Sequence, residues 1–339
     1  MIIANITTPL LGLVDTAILG RMDDVAIMAG AAVGSLIVTQ LYWVSGFIKM
    51  SITGLSAQSI DKPPLVGIKV MVQGCALAFA IAFILLIAQQ YIANAGLFFA
   101  NASAEIKLNV EAYFYTRIWG APAALLNLVL VGWLIGQQKT MFVLLLQVIV
   151  NLINIIASLF FVFVLDLGVR GVAGATVFAE YTMLVVALIL IHKHLNQKHD
   201  FTLFSFSGQS RLKLSDVKTW FTWLSLKGIL SLNSHMFVRN LAVPFTLAFI
   251  TLKGVQYGAQ AAAVNAIIMQ FFALIALGLD GIANAVEALV GESKSKKNTE
   301  LLNKNVIVGV FWSSIFAVIY AVIFYFLDSP IVNLLTGQS

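Results

Sequence analysis

Charge is what this chain has least of: charged side chains make up 10% of its 339 residues, against about 25% in an ordinary soluble domain. A hydrophobic content of 60% and a mean hydropathy of +0.95 exceed what a soluble core can bury. Cysteine is nearly absent as well. Cys75, alone in an apolar stretch, excludes an internal disulfide and reads as a small core residue. Also missing are the His-Glu-x-x-His zinc helix, the Gly-x-Ser-x-Gly nucleophile turn and the Gly-rich phosphate loop ending in Lys-Ser/Thr. Leu277-Gly278-Leu279-Asp280-Gly281 lacks the paired acid that aspartyl protease chemistry needs. His192, His194 and His199 read as solvated linker side chains rather than metal ligands. These absences argue against an enzyme, and no cofactor or metal is expected.

What the chain does have is long apolar runs. Stretches of about 20 residues match the thickness of a bilayer's hydrocarbon core, whereas barrel strands would alternate over segments of about ten. They predict an all-α polytopic membrane protein with helices near 1–20, 26–48, 66–93, 113–136, 141–165, 171–192, 222–250, 258–290 and 305–327, and a terminal stub. The first run is not followed by a small-residue cleavage site and a soluble part, so it reads as a span rather than a removable signal. Lysine and arginine concentrate in the even-numbered connections. Lys49, Lys62 and Lys69 flank the first of these, Lys139 lies in the next, Lys193, Lys198, Arg211, Lys213 and Lys218 in the long one, and Lys294, Lys296, Lys297 and Lys304 in the last. By the positive-inside rule the N-terminus is cytoplasmic. The net charge of +5 is then a topology signal, and no nucleic-acid partner is expected.

A weak internal repeat organises the chain. Asn5-Ile6-Thr7-Thr8-Pro9 is echoed by Asn240-Leu241-Ala242-Val243-Pro244, and Thr53-Gly54-Leu55-Ser56-Ala57-Gln58-Ser59 by Glu287-Ala288-Leu289-Val290-Gly291-Glu292-Ser293, each of the latter pair leading into a basic turn. Two matches in one register imply two parallel six-helix lobes. The division is an N-lobe over 1–192, a polar and basic cytoplasmic linker over 193–221, and a partial C-lobe over 222–339. On this register the second lobe is three helices short and the first begins late, so the sequence reads as truncated at both ends, with about nine spans present.

Asp15 carries the functional signal. It lies deep in the first apolar run, Pro9 to Gly20, where an Asp near a helix centre costs about 2.5–3.5 kcal/mol. Such a carboxylate has to face a protein interior or a wet cavity, where desolvation favours its protonated form. That describes a proton or cation site. Glu180 stands one helical turn after Thr176 and so shares its face. Asp280 and Glu287, seven apart, also share a face and define a possible second acidic site. His235 and Arg239 could pair with those acids or snorkel. Asn127, Gln147 and Asn151 suit helix–helix hydrogen bonding. Pro122 and Pro244 are expected to bend their helices, and Gly30, Gly34, Gly132 and Gly136 to allow close packing.

The run Asn5 to Gly20 with Pro9 and Val14-Asp15-Thr16-Ala17, then Met50 to Gln58, Ala121-Pro122-Ala123 through Gly132-Trp133-Leu134-Ile135-Gly136, Gly171 to Tyr181, and Leu279-Asp280-Gly281 through Val286-Glu287-Ala288 together resemble the multidrug and toxin extrusion (MATE) transporters, in the branch of the DNA-damage-inducible protein F. The resemblance implies two helical lobes flanking a central cavity and export of cationic or amphipathic small molecules in exchange for protons or sodium ions. It also implies a monomer in a bacterial inner membrane. Carried over by position, it makes Asp15 the coupling carboxylate, with Asn154 and Thr176 as its polar partners and Glu180 nearby. Ser158 stands where related sites carry a second carboxylate, which favours protons over sodium. The alternatives are a flippase for lipid-linked saccharides, which would want a more cationic cavity, and a fragment that does not transport.

Overall fold

The computed structural model describes Ile18 and residues 25–100, 104–199, 219–257 and 259–326, and among them every regular element is a helix. α1 (Val25–Val44) and α2 (Phe47–Ala57) are two pieces of one apolar stretch. They part at Ser45-Gly46, where the Ser45 hydroxyl donates back to the Leu41 carbonyl at 2.8 Å. A hydroxyl that competes for a helical carbonyl, next to a glycine, is a recurrent cause of kinks. α3 (Pro64–Ile87) opens on a proline, whose missing N–H is no loss in a first turn. The single helix expected over 66–93 is instead interrupted at Ala88, after which α4 (Gln89–Ala100) begins. α5 (Ala104–Arg117) tightens into a 3-10 turn at Ile118–Gly120 and continues as α6 (Ala121–Gly136), with Pro122 in its first turn, where the missing N–H is no loss. α7 (Thr140–Leu159) runs out through a π turn, Phe160–Val164, and α8 spans Gly168–His199. α9 (Trp223–Gln256), which contains Pro244, α10 (Ala259–Ser295) and α11 (Thr299–Phe326) follow.

Six helical stretches among the described residues are long and apolar enough to cross a membrane: Ala26–Ala57, Pro64–Ile87, Ile106–Gly136, Thr140–Val164, Gly168–Asn196 and Thr299–Phe326. Their outer faces carry large apolar side chains in the open, among them Phe79, Phe83, Ile84 and Ile87 on α3 and Ile307, Val310, Phe311 and Trp312 on α11. Water would penalise such faces heavily, and lipid does not. The expected first helix, apart from Ile18, and residues 200–218 of the expected linker lie outside the described residues.

In the first half, α6 is the central helix, packed against α2, α3 and α8. Trp133, Leu130, Leu134, Ile48, Ile52 and Ile68 fill the space between them. α2 and α6 approach to backbone contact through the glycines expected to allow it. A Cβ on Gly136 would stand 2.5 Å from the Thr53 carbonyl oxygen and 2.8 Å from the Ala57 nitrogen, atoms that cannot swing aside. Gly136→Ala is therefore expected to force the helices apart and destabilise the protein by about 1–3 kcal/mol, read as a lowered unfolding midpoint in detergent. Polar links pin the same contact: Ser56 Oγ donates to the Trp133 carbonyl at 2.9 Å, and Gln137 Nε2 donates to Ser56 O at 3.0 Å and Ser59 Oγ at 3.1 Å.

The turns at this end of the bundle share one construction. Gln138 and Lys297 adopt left-handed backbone angles, with φ of 59° and 51°. The next N–H then closes back on the helix just ended, Lys139 onto Leu134 O at 2.8 Å and Asn298 onto Ser293 O at 3.2 Å. The turn carrying Asp61 and Lys62 lies at the same end, which is the basic end of the bundle. α9 and α10 of the second half lie mainly along α2, and α11 packs on α10. The two halves thus meet on a seam running from Phe47, edge-on to Phe237 at 5.4 Å, down to Gln58, whose carbonyl accepts from Ser295 Oγ at 2.9 Å.

Candidate functional site

Two groups of polar side chains lie inside the apolar bundle and a third lies on its seam. The first joins α7 and α8. Asn154 Nδ2 donates to Thr176 Oγ1 at 2.9 Å, and that hydroxyl donates on to the Val172 carbonyl at 3.1 Å. Both side chains are buried, as is Ser158 one turn along α7. The other end of the Asn154 amide is different: Oδ1 is buried and receives no hydrogen bond from any described residue. Asp15, which the resemblance joins to this pair, lies outside the described residues. Ile18, three residues further on, is buried among Ala31, Tyr113, Val162, Val169, Val172 and Ala173.

Glu180 does not turn toward this pair. Its carboxylate is held by Arg117 of α5 in a two-pronged ion pair, with Nη1 to Oε2 at 2.8 Å and Nη2 to Oε1 at 2.5 Å. Arg117 also donates to the Tyr42 hydroxyl at 3.2 Å and lies over that ring at 5.0 Å, and Asn127 Nδ2 donates to the Glu180 carbonyl at 2.9 Å. Side-chain exposures of 9% and 14% place the pair in the interior, where parallel N–H···O bonds keep their strength. Gly120 makes room for it, because a Cβ there would come 2.5 Å from both Arg117 Nη1 and Glu180 Oε2. Arg117 escaped the sequence reading, although an arginine inside an apolar stretch is itself the signal of a buried acidic partner.

The third group lies on the seam, half-buried at Lys49 and Glu287 and exposed at Asp280 and Arg239. Asp280 and Glu287 project from α10, and Lys49 of α2 is within electrostatic reach of both. Arg239 of α9 acts on Glu287 in the same way and places Nη2 3.9 Å from Met50 Sδ. Sequence position made Lys49 a flank of a basic turn; the fold turns it toward acids of the other half.

At the basic end, beyond the apolar part of α10, Gln138 Nε2 donates to Glu292 Oε2, while Lys296 Nζ donates to Glu292 Oε1 at 2.6 Å and lies 3.9 Å from Asp61. The hydrogen bond from Lys296, with that from Gln138, holds the Glu292 carboxyl below the usual glutamate range. A carboxylate whose pKa is depressed by folding contributes stability above its unfolded pKa, and loses it as pH falls through the folded value. The difference in melting midpoint between the parent and Glu292→Gln is therefore expected at pH 7 and should shrink away below about pH 4.

Intramembrane charges turned toward a helical interior, and a seam between two helical halves, are the features of a membrane transporter. The chain belongs to the MatE family, whose sequence profile matches residues 1–160 and 236–339. It is similar to the DNA damage-inducible protein F of Escherichia coli (strain K12), with 33% identity over 339 residues, which is 99% of this chain and 71% of that protein. Similarity to Protein DETOXIFICATION 43 of Arabidopsis thaliana is 27% identity over 186 residues, covering 55% of this chain and 32% of that one. Among solved structures, a MOP superfamily transporter from Pyrococcus furiosus Vc1 (DSM3638) has the same fold, with a TM-score of 0.83 at 18% identity over 100% of this chain and 72% of that chain.

Proposed function

We propose that this membrane protein is a secondary exporter of cationic or amphipathic small molecules, driven by protons, with Asp15 as the protonation site and Asn154 and Thr176 as its polar surroundings. The observation that carries the reading is the Asn154 amide. One of its two N–H donors goes to Thr176, and its buried acceptor lacks a donor among the described residues, an arrangement that costs about 1–3 kcal/mol if left so. A protonated carboxyl supplies that donor, and an ionised one does not. Ile18, packed beside Val172 and Ala173 and three residues from Asp15 in sequence, supports a neighbourhood shared with Thr176. Ser158 offers a hydroxyl where a second carboxylate would suit sodium, an ion that needs several oxygen ligands at once. Glu180 serves the site indirectly, through the clamp on Arg117.

The coupling needs only that proton and substrate favour different states, since a ligand that binds both states equally shifts nothing. Protonation removes the charge that holds a cationic substrate and the cost of closing over a bare carboxylate. Asp280 and Glu287 form a second acidic surface for cations on the C-lobe side. The protein works as a monomer in the bacterial inner membrane with its N-terminus, and so the basic end, in the cytoplasm; no bound cofactor takes part. The test is ethidium efflux from proteoliposomes under an imposed pH gradient or an imposed sodium gradient. Efflux is expected with the first alone, and efflux driven by sodium without a pH gradient would overturn the proton assignment.

A further inference from the structure

Three helices bring four charges to the seam. Lys49 comes from α2 in the first half, Arg239 from α9 and the acids Asp280 and Glu287 from α10 in the second. Their placement follows from packing. A Cβ on Gly54 would stand 3.6 Å from Glu287 Oε1, so that carboxylate lies against α2, and one on Gly132 would stand 2.6 Å from the Lys49 carbonyl, so Lys49 is anchored on α6. Two cations face two anions, yet among the described residues no nitrogen and oxygen of this group close to salt-bridge distance. The cluster is balanced in charge without being clamped. Remove Lys49 and the acids of α10 are in excess; only a proton, an ion or a cationic ligand could then restore the balance.

We propose that Lys49 is the resident counter-ion of Asp280 and Glu287: the ammonium of one half occupies the place that a cationic ligand takes in the other, and so holds the seam shut until it is displaced. The proposal rests on the reading of those two acids as a cation-accepting surface. Because Lys49 is fixed to the first half and the acids to the second, a ligand that replaces it removes an attraction across the seam at the same moment. What then remains at the basic end is small. Gly291 lies against Ala57 and the Gly54 carbonyl, Ser295 donates to Gln58, Gln138 to Glu292, and Lys296 lies 3.9 Å from Asp61. The polar members of this set are individually weak, so the attraction between half-buried Lys49 and the acids of α10 adds appreciably to the helix packing that closes the seam. Among the described residues His235, exposed one turn before Arg239, is the remaining titratable side chain of α9 nearby.

The seam can be read without transport. In the full chain with Cys75→Ala, reconstituted in nanodiscs, Gln58→Cys and Ser295→Cys place a cross-linkable pair across it. Lys49→Gln is expected to slow cross-linking about three- to tenfold, the range for a coupled charge contact. Lys49→Arg should keep the parent rate, and Lys49→Glu combined with Glu287→Lys should restore it. Tetraphenylphosphonium, a cation without other chemistry, should slow the parent and leave Lys49→Gln unchanged. Parent-like cross-linking in Lys49→Gln, or failure of the charge-reversed pair in protein that melts like the parent, overturns the proposal. No ion gradient enters the assay: sodium-driven efflux beside a seam that loosens in Lys49→Gln would reject the proton reading and keep this one.

Discussion

Glu180→Ala is expected to cost about 3–5 kcal/mol of stability, because it strands the Arg117 guanidinium in the interior of the bundle. Arg117 has two of its N–H groups on Glu180, and among the described residues its other partner is the Tyr42 hydroxyl and ring, which cannot balance a full charge. The pair also sits at a mechanically sensitive place. It joins α5, immediately before the 3-10 turn at Ile118–Gly120, to α8, one turn beyond Thr176. Glu180→Gln, which keeps an acceptor but no charge, should fall between the parent and Glu180→Ala. Arg117→Met combined with Glu180→Leu, which removes both charges and keeps the volume, should return close to the parent. Unfolding of purified protein, followed by temperature or by denaturing detergent, checks all three. An alanine variant within about 1 kcal/mol of the parent would mean that the ion pair is a solvated contact, as surface pairs are.

The contrast between Glu180 and Asn154 shows what was legible beforehand. Apolar runs announce spanning helices because a bilayer leaves no alternative way to satisfy the backbone, and the glycines at 132 and 136 announce a close helix contact because a four-residue spacing repeats on one face. Asn154 and Thr176 could be named from the resemblance, and the structure brings them together. Partner choice across helices leaves no such local trace. Glu180 shares a face with Thr176, yet its side chain goes to Arg117, 63 residues away, because an ion pair in a dry interior outweighs a neutral hydrogen bond. Lys49 looked like one more basic flank, since the positive-inside rule explains a lysine near a helix end without any partner. Only the packing of α2 against α10 reveals the acids opposite it. The breaks at Ser45-Gly46 and Ala88 were hidden for a related reason: apolar composition continues through both, while the backbone is interrupted by a hydroxyl and by the change of direction into α4.

Asp15→Asn should abolish efflux driven by a pH gradient while leaving the protein folded. Asparagine is nearly the same size as aspartic acid and retains a hydrogen-bond donor, so it imitates the protonated state, and its insertion in an apolar segment is cheaper than that of a charge. A fixed neutral side chain can satisfy the open acceptor of Asn154 at every pH, which removes the one change that a proton makes on this reading. Two measurements separate a lost coupling site from a damaged protein. Ethidium binding to the parent should strengthen as pH rises through the titration of the carboxyl, because the ionised form attracts the cation; in Asp15→Asn the binding should be weaker and flat across the same range. The unfolding midpoint should stay at or above that of the parent, in contrast to the loss expected for Glu180→Ala, since here a desolvated charge is removed rather than orphaned. If the asparagine variant still exports under a pH gradient, the proton binds elsewhere, and Glu287 on the seam, facing Lys49 and Arg239, becomes the next carboxylate to replace.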